Sequence, residues 1–71
     1  MKKAIEILNE QIAKTNELLM LVETEYEEQY VNFLREKTDR YTYEESKNTY
    51  HFVRGRLKGL IIAVEELEKM L

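Results

Sequence analysis

The chain has no cysteine, no proline and no tryptophan, and its single histidine is His51. Lack of cysteine excludes disulfides and thiolate metal sites, and one histidine excludes a multi-histidine metal site within one chain. A domain of 71 residues has a core that contributes only about 3–5 kcal/mol, so self-association is the expected additional support. We therefore expect one domain, residues 1–71, with no cofactor and no metal.

Long apolar runs are also missing. The longest, residues 18–22, is far shorter than the roughly 20 residues that a transmembrane helix needs. The first residues are basic but lead into an amphipathic pattern, which differs from the apolar centre of a signal peptide. Together with the absence of cysteine, these features predict a soluble, cytoplasmic protein that does not bind membranes.

The net charge of −3 is unevenly distributed. Residues 1–34 carry a net charge of −4, residues 35–58 carry +3, and residues 59–71 carry −2. An acidic chain with one basic segment lacks the broad basic face that duplex DNA requires. We expect no binding to duplex DNA, whereas a local site for an anion is compatible with this distribution.

An apolar stripe, called the main stripe, runs through the second half of the chain at steps of three and four residues. Only an α-helix places side chains at this spacing on one side. The first half has a matching stripe. The main stripe consists of Tyr43, Ser46, Tyr50, Val53, Leu57, Leu60, Val64, Leu67 and Leu71, and the first-half stripe of Ile5, Leu8, Ile12, Thr15, Leu19, Val22, Tyr26, Gln29 and Phe33.

The two helical segments meet near residues 38–41. Thr42 and Glu45 there have the spacing of a capping box, which predicts the start of the second helix. We predict an all-α fold, an antiparallel hairpin of helices at about 4–38 and 43–70, with Leu57 opposite Tyr26 and Leu60 opposite Val22. One uninterrupted helix is the alternative.

The hairpin leaves apolar side chains that its single seam cannot cover. A large exposed apolar set is typical of an interaction surface. We therefore predict a homodimeric four-helix bundle or a larger homo-oligomer. The surplus residues are Ile7, Leu18, Met20, Leu21, Val31, Leu34, Phe52, Ile61 and Ile62.

Small residues mark the predicted contact. Gly55, Gly59 and Ala63 follow each other at steps of four, and each glycine costs about 1 kcal/mol in a helix relative to alanine. Close approach of another helix, a backbone exposed to a ligand, and simple tolerance are three explanations. The predicted oligomer interface adds Phe52 and Ile62 to these three residues.

A basic and aromatic segment lies beside this line. Arginine binds phosphate oxygens and aromatic rings stack on bases, so the segment has the composition of a site for a nucleotide-like anion. A solvated basic flank and a contact with a protein partner are the alternatives. The candidate ligand-binding residues are Tyr50, His51, Arg54, Arg56 and Lys58.

Two carboxylate pairs, Glu25 with Glu28 and Glu36 with Asp39, resemble the metal-binding motifs of all-α nucleotide pyrophosphohydrolases of the MazG type. In that family the two motifs lie on different helices, whereas here both fall on the first predicted helix. We therefore expect no catalytic residues and no enzyme activity. The acidic face is expected instead to pair with Lys47, Arg54 or Lys58 across the hairpin.

The chain as a whole resembles small accessory proteins of phages and other mobile elements, which are short, cysteine-free, acidic helical hairpins. The apolar and glutamate-rich residues 60–68 contribute to this resemblance. It implies a non-enzymatic oligomeric binding protein, an accessory or inhibitor protein that binds a host protein. The alternative that it implies is a sponge-like protein that sequesters a nucleotide-type signalling molecule between protomers.

Overall fold

Two α-helices lie side by side in the computed structural model, which describes residues 2–71. Helix α1 spans Lys2–Leu34 and helix α2 spans Arg40–Lys69. The molecule measures 53 × 15 × 12 Å, and 53 Å is close to the roughly 50 Å expected for the length of α1 alone. The helices therefore fold back on each other as a hairpin, which confirms the predicted all-α hairpin fold.

The seam between the helices is formed by the two predicted stripes. Each member of both stripes is buried or half-buried, with the exception of Leu71 at the chain end. Thr15, Val53 and Val64 are the most deeply buried residues. The spacing thus correctly identified the side of each helix that faces the other.

The register of the two helices differs from the predicted one. The ring of Tyr26 stacks on Tyr50 at 5.3 Å and on Tyr43 at 6.0 Å between centroids, whereas Leu57 was the predicted neighbour. Tyr50 precedes Leu57 by two helical turns. The prediction was wrong because it centred the turn near Tyr41, several residues too late along the chain.

Helix α1 ends earlier than predicted. The Lys37 N–H donates to the Asn32 carbonyl at 2.8 Å, and the Glu36 N–H donates to the Phe33 carbonyl at 3.1 Å. These two bonds form a Schellman motif, in which one residue takes a left-handed conformation. Glu36 does so with φ of 60°. Glycine is the usual residue there, so the sequence contained no strong signal for this end.

Helix α2 begins earlier than predicted, because Asp39 is its N-cap. The Asp39 carboxylate accepts the Thr42 backbone N–H at 2.7 Å, as expected at a helix start. This bond lowers the pKa of Asp39, because it stabilises the charged form. The predicted capping box at Thr42 and Glu45 is therefore wrong, since both residues already lie within the helix.

The hairpin buries little apolar surface by itself. Val53 and Val64, at 4% and 7% exposure, are the buried hydrophobic residues in the described part of the chain. All nine residues of the predicted apolar surplus are exposed. No helix within residues 2–71 is long and apolar enough to cross a bilayer.

Candidate functional site

Stacked aromatic rings close the seam near the turn. Phe33 stacks on Tyr43 at 4.9 Å between centroids, and Tyr26 lies against both Tyr43 and Tyr50. Offset stacking at these separations is favourable beyond the burial of area. Tyr50, a candidate ligand residue, therefore packs within the hairpin. His51, with its ring 5.3 Å from that of Tyr50, extends the aromatic cluster outward, as does the exposed Tyr30, with its ring 6.0 Å from that of Tyr43.

The surroundings of Tyr43 also change the pKa of its hydroxyl. A side-chain hydrogen bond with Tyr26 raises the pKa of Tyr43, and partial desolvation acts in the same direction.

The five candidate ligand residues occupy three different places. His51, Arg54 and Lys58 follow each other at steps of three and four, so they share one exposed flank of α2. Arg56 is two residues from Arg54, about 200° around the helix, and lies on the other flank. Tyr50 is in the seam. The fold of one chain brings together three of the five residues.

The basic flank has no carboxylate partner from α1. Among residues 2–71 the structure has two ion pairs, Arg40 with Glu44 at 2.9 Å and Lys69 with Glu66 at 3.3 Å, and both lie within α2. The predicted pairing of the acidic face of α1 with the basic flank was therefore wrong. The reason is that long charged side chains beside a narrow seam extend into water.

The sequence did not predict a shallow groove on the flank of α2 that lies away from His51, Arg54 and Lys58. Its volume is about 220 Å³, and carboxylates and hydroxyls line it. Two of the hydroxyls donate to their own helix, Ser46 to the Tyr43 carbonyl and Thr49 to the Glu45 carbonyl. The groove is acidic and open, so it does not fit an anion. Its lining residues are Val22, Glu25, Thr42, Glu45, Ser46 and Thr49.

The two carboxylate pairs that resemble the pyrophosphohydrolase motifs lie apart in structure and role. Glu25 and Glu28 are exposed on α1, Glu36 lies in the turn, and the Asp39 carboxylate caps α2. Within residues 2–71 there is no group of three or more His, Cys, Asp or Glu side chains arranged to hold a metal ion.

The predicted interface residues share one face of α2, called the outer face and defined as Phe52, Gly55, Gly59, Ile62 and Ala63; all are exposed except Ala63, which is half-buried. Phe52 is 72% exposed and Ile62 is 48% exposed. A Cβ atom at Gly55 or Gly59 would have no neighbouring heavy atom within 4 Å. The glycines therefore do not serve the packing of α1 on α2, and the space above them is open.

Helix α1 carries an exposed apolar group of its own. Leu18, Met20 and Leu21 are all exposed in the middle of the helix, although they belong to the longest apolar run. Leu18 and Leu21 are three residues apart and share a face of α1, whereas Met20, two residues from Leu18, lies on a different side of the helix.

Comparison with known proteins gives no match: no protein family, no curated protein and no solved structure is similar to this chain at a significant level.

Proposed function

We propose that this chain is a non-enzymatic helical binding protein that associates with itself through the outer face of α2. The observation that carries the proposal is the exposure of Phe52 and Ile62 on either side of two glycines with open space above them. Glycine within a helix costs about 1 kcal/mol, and large exposed apolar side chains gain by leaving water. A second helix on this face would offset both costs.

The proposed partner outside the assembly is a protein. The exposed Leu18 and Leu21 of α1, three residues apart on one face of the helix, form an apolar pair of the kind that protein interfaces bury. The resemblance to small phage accessory proteins supports a host protein as this partner, which the chain would block or redirect by binding. No catalytic group is required for this mode of action.

Sedimentation equilibrium of the full chain tests self-association. We expect a dimer or larger oligomer at micromolar concentration, and we expect Phe52→Ser to weaken association at least tenfold. Met20→Ser is the matched control, because Met20 is 70% exposed, like Phe52, but lies on α1. A stable folded monomer, or equal effects of the two substitutions, would contradict the proposal.

A second candidate function is the binding of a nucleotide-like anion by the basic flank. The observation that favours it is that Arg54 and Lys58 have no carboxylate within ion-pair distance in the described residues. Because one chain presents only His51, Arg54 and Lys58 together, a complete site would need residues of a second protomer.

Thermal unfolding with a panel of linear and cyclic nucleotides tests this second function, since a bound ligand stabilises the folded state. A rise in Tm that is lost in Arg54→Ala and kept in Arg40→Ala would support it. Arg40 is a suitable control because Glu44 already pairs with it. No rise for any nucleotide, or an unchanged rise in Arg54→Ala, would refute it.

A further inference from the structure

Four of the five residues of the outer face, all except Ala63, belong to a longer exposed row with the same spacing as the main stripe. Its members follow each other at alternating steps of three and four, and each of them is exposed. Such a row is a second seam on the side of α2 that lies away from α1. We call it the outer row. It consists of Glu45, Asn48, Phe52, Gly55, Gly59, Ile62, Glu66 and Lys69.

The outer row is complementary to itself when it is read in the opposite direction. Its two ends differ in charge: Glu45 lies at one end, and Lys69, whose ammonium group pairs with Glu66 of the same helix at 3.3 Å, lies at the other. Phe52 and Ile62 occupy equivalent positions on either side of the centre, and Gly55 and Gly59 occupy the centre. This symmetry is what an isologous interface between two identical helices requires.

We infer that the partner on this row is a second copy of the chain, with its α2 helix antiparallel to the first and the two-fold axis at the level of Leu57. Gly55 would then face the partner's Gly59, and Phe52 would face the partner's Ile62. Glu45 would face the partner's Lys69 at both ends of the contact. This inference deepens the proposed function and rests on it, since it specifies the arrangement of the proposed assembly.

The glycines determine how closely the helices approach. With no side chain at the centre and nothing of the same chain within 4 Å of a Cβ there, the two backbones can come into contact. The large side chains of Phe52 and Ile62 then pack beside the contact rather than between the axes. A parallel arrangement would instead put each Phe52 against the partner's Phe52 and each Glu45 against the partner's Glu45, which combines a steric and an electrostatic cost.

The arrangement leaves α1 on the outside. Because the outer row lies nearly opposite the main stripe, the two α2 helices form the middle of a four-helix layer and the α1 helices flank them. Leu18, Met20 and Leu21 would remain accessible to a different protein. Arg56 and Lys58 flank the centre of the row, so each would lie near its own copy.

A charge exchange tests the pairing at the ends of the row. Glu45→Lys should weaken dimerisation roughly two- to tenfold, because two exposed ion pairs are replaced by like charges. Adding Lys69→Glu to the same chain should restore the affinity. A double variant that is weaker than Glu45→Lys alone would overturn the antiparallel register.

Spin-label distances give the decisive measurement. The chain has no cysteine, so Asn48→Cys and Lys58→Cys each provide a single labelled position. The antiparallel arrangement predicts labels at position 48 about 27 Å apart along the axis, and labels at position 58 only about 3 Å apart along the axis. A parallel dimer would give short distances at both positions.

Sedimentation and the spin-label distances together distinguish a failure of the antiparallel arrangement from a failure of the proposed self-association. A dimer in sedimentation with short distances at both positions, or long distances at both, would overturn the antiparallel arrangement and leave the proposed self-association intact. A monomer in sedimentation would overturn both proposals. A long distance at position 48 together with a short distance at position 58 supports both.

Discussion

The main stripe and the outer row lie on two sides of α2 and have the same residue spacing. They differ in the size of their side chains and in whether α1 covers them. The main stripe places Tyr50, Val53 and Leu57 against α1, where large side chains fill the space between the axes. The outer row places two glycines at its centre, with nothing of the same chain above them. Periodicity alone therefore identifies faces that can be buried, and the structure shows which of them the hairpin itself buries.

The largest expected effect comes from a substitution in the main stripe, on the side of α2 that packs against α1. Val53 is 4% exposed, and Val53→Asp would bury a charge with no partner, which costs about 3–5 kcal/mol. We expect the chain to be largely unfolded at 25 °C by circular dichroism. Val31→Asp is the control, because Val31 is 42% exposed on α1, and it should remain folded.

A substitution in the outer row should weaken self-association while it stabilises the fold of the dissociated chain. Gly59→Leu should weaken self-association at least tenfold, because the side chain would prevent close approach of the helices. The same substitution should stabilise the dissociated chain by about 0.5–1 kcal/mol, since leucine is a better helix former than glycine and the space is open.

Sedimentation and urea unfolding at low protein concentration measure these two effects. Leu60→Ala, one residue further along on the seam side, should instead lower the stability of the dissociated chain. Unchanged self-association of Gly59→Leu would show that Gly59 is tolerated in the helix without a role in association. The outer row would then not be a second packing surface of α2 beside the main stripe.

A substitution in the turn should change the stability of the hairpin without altering the main stripe or the outer row. Glu36 has φ of 60°, a conformation that costs roughly 1–2 kcal/mol for a residue with a Cβ. Glu36→Gly should therefore stabilise the hairpin by about 1 kcal/mol in urea unfolding, with an unchanged association constant. A loss of stability would show that the left-handed turn is not formed in solution.

The smallest expected effect concerns the cap at the start of α2. The pKa of Asp39 is lowered in the folded chain, so this carboxylate stabilises the fold above its unfolded pKa near 3.8, and this contribution disappears as the pH falls through the lower folded value. Comparison of Asp39→Asn with the original chain should show a difference in Tm at pH 7 that narrows below pH 3. An identical difference at both pH values would exclude an ionic contribution.

The seam was predictable because burial on one side of a helix leaves a periodic pattern. Every member of the two stripes except Leu71 lies in or beside the seam, and all residues of the predicted surplus are exposed. The ends of the helices were less predictable. Glu36 takes a conformation that favours glycine, and Asp39 competes with Thr42 as a cap, so local preferences alone gave a turn several residues too late.

The candidate ligand residues show a second limit of sequence reasoning. Neighbours in a basic segment need not share a face, since Arg54 and Arg56 point to different flanks of the same helix. Composition placed Tyr50 with them, whereas the turn, which lies earlier in the chain than predicted, places the Tyr50 ring on Tyr26. The ion pairs expected across the hairpin were not formed, because spacing along one helix contains no information on the reach of side chains across the seam.

The sequence by itself determined that there are two amphipathic helices, which side of each is buried, and which apolar residues are left exposed, because all of these follow from the 3.6-residue period of the helix. Only the tertiary structure decided the register of the helices, the positions of their ends, and the open space above Gly55 and Gly59. These depend on how the turn positions two rigid helices against each other. A shift of the turn by a few residues changes every contact along the seam.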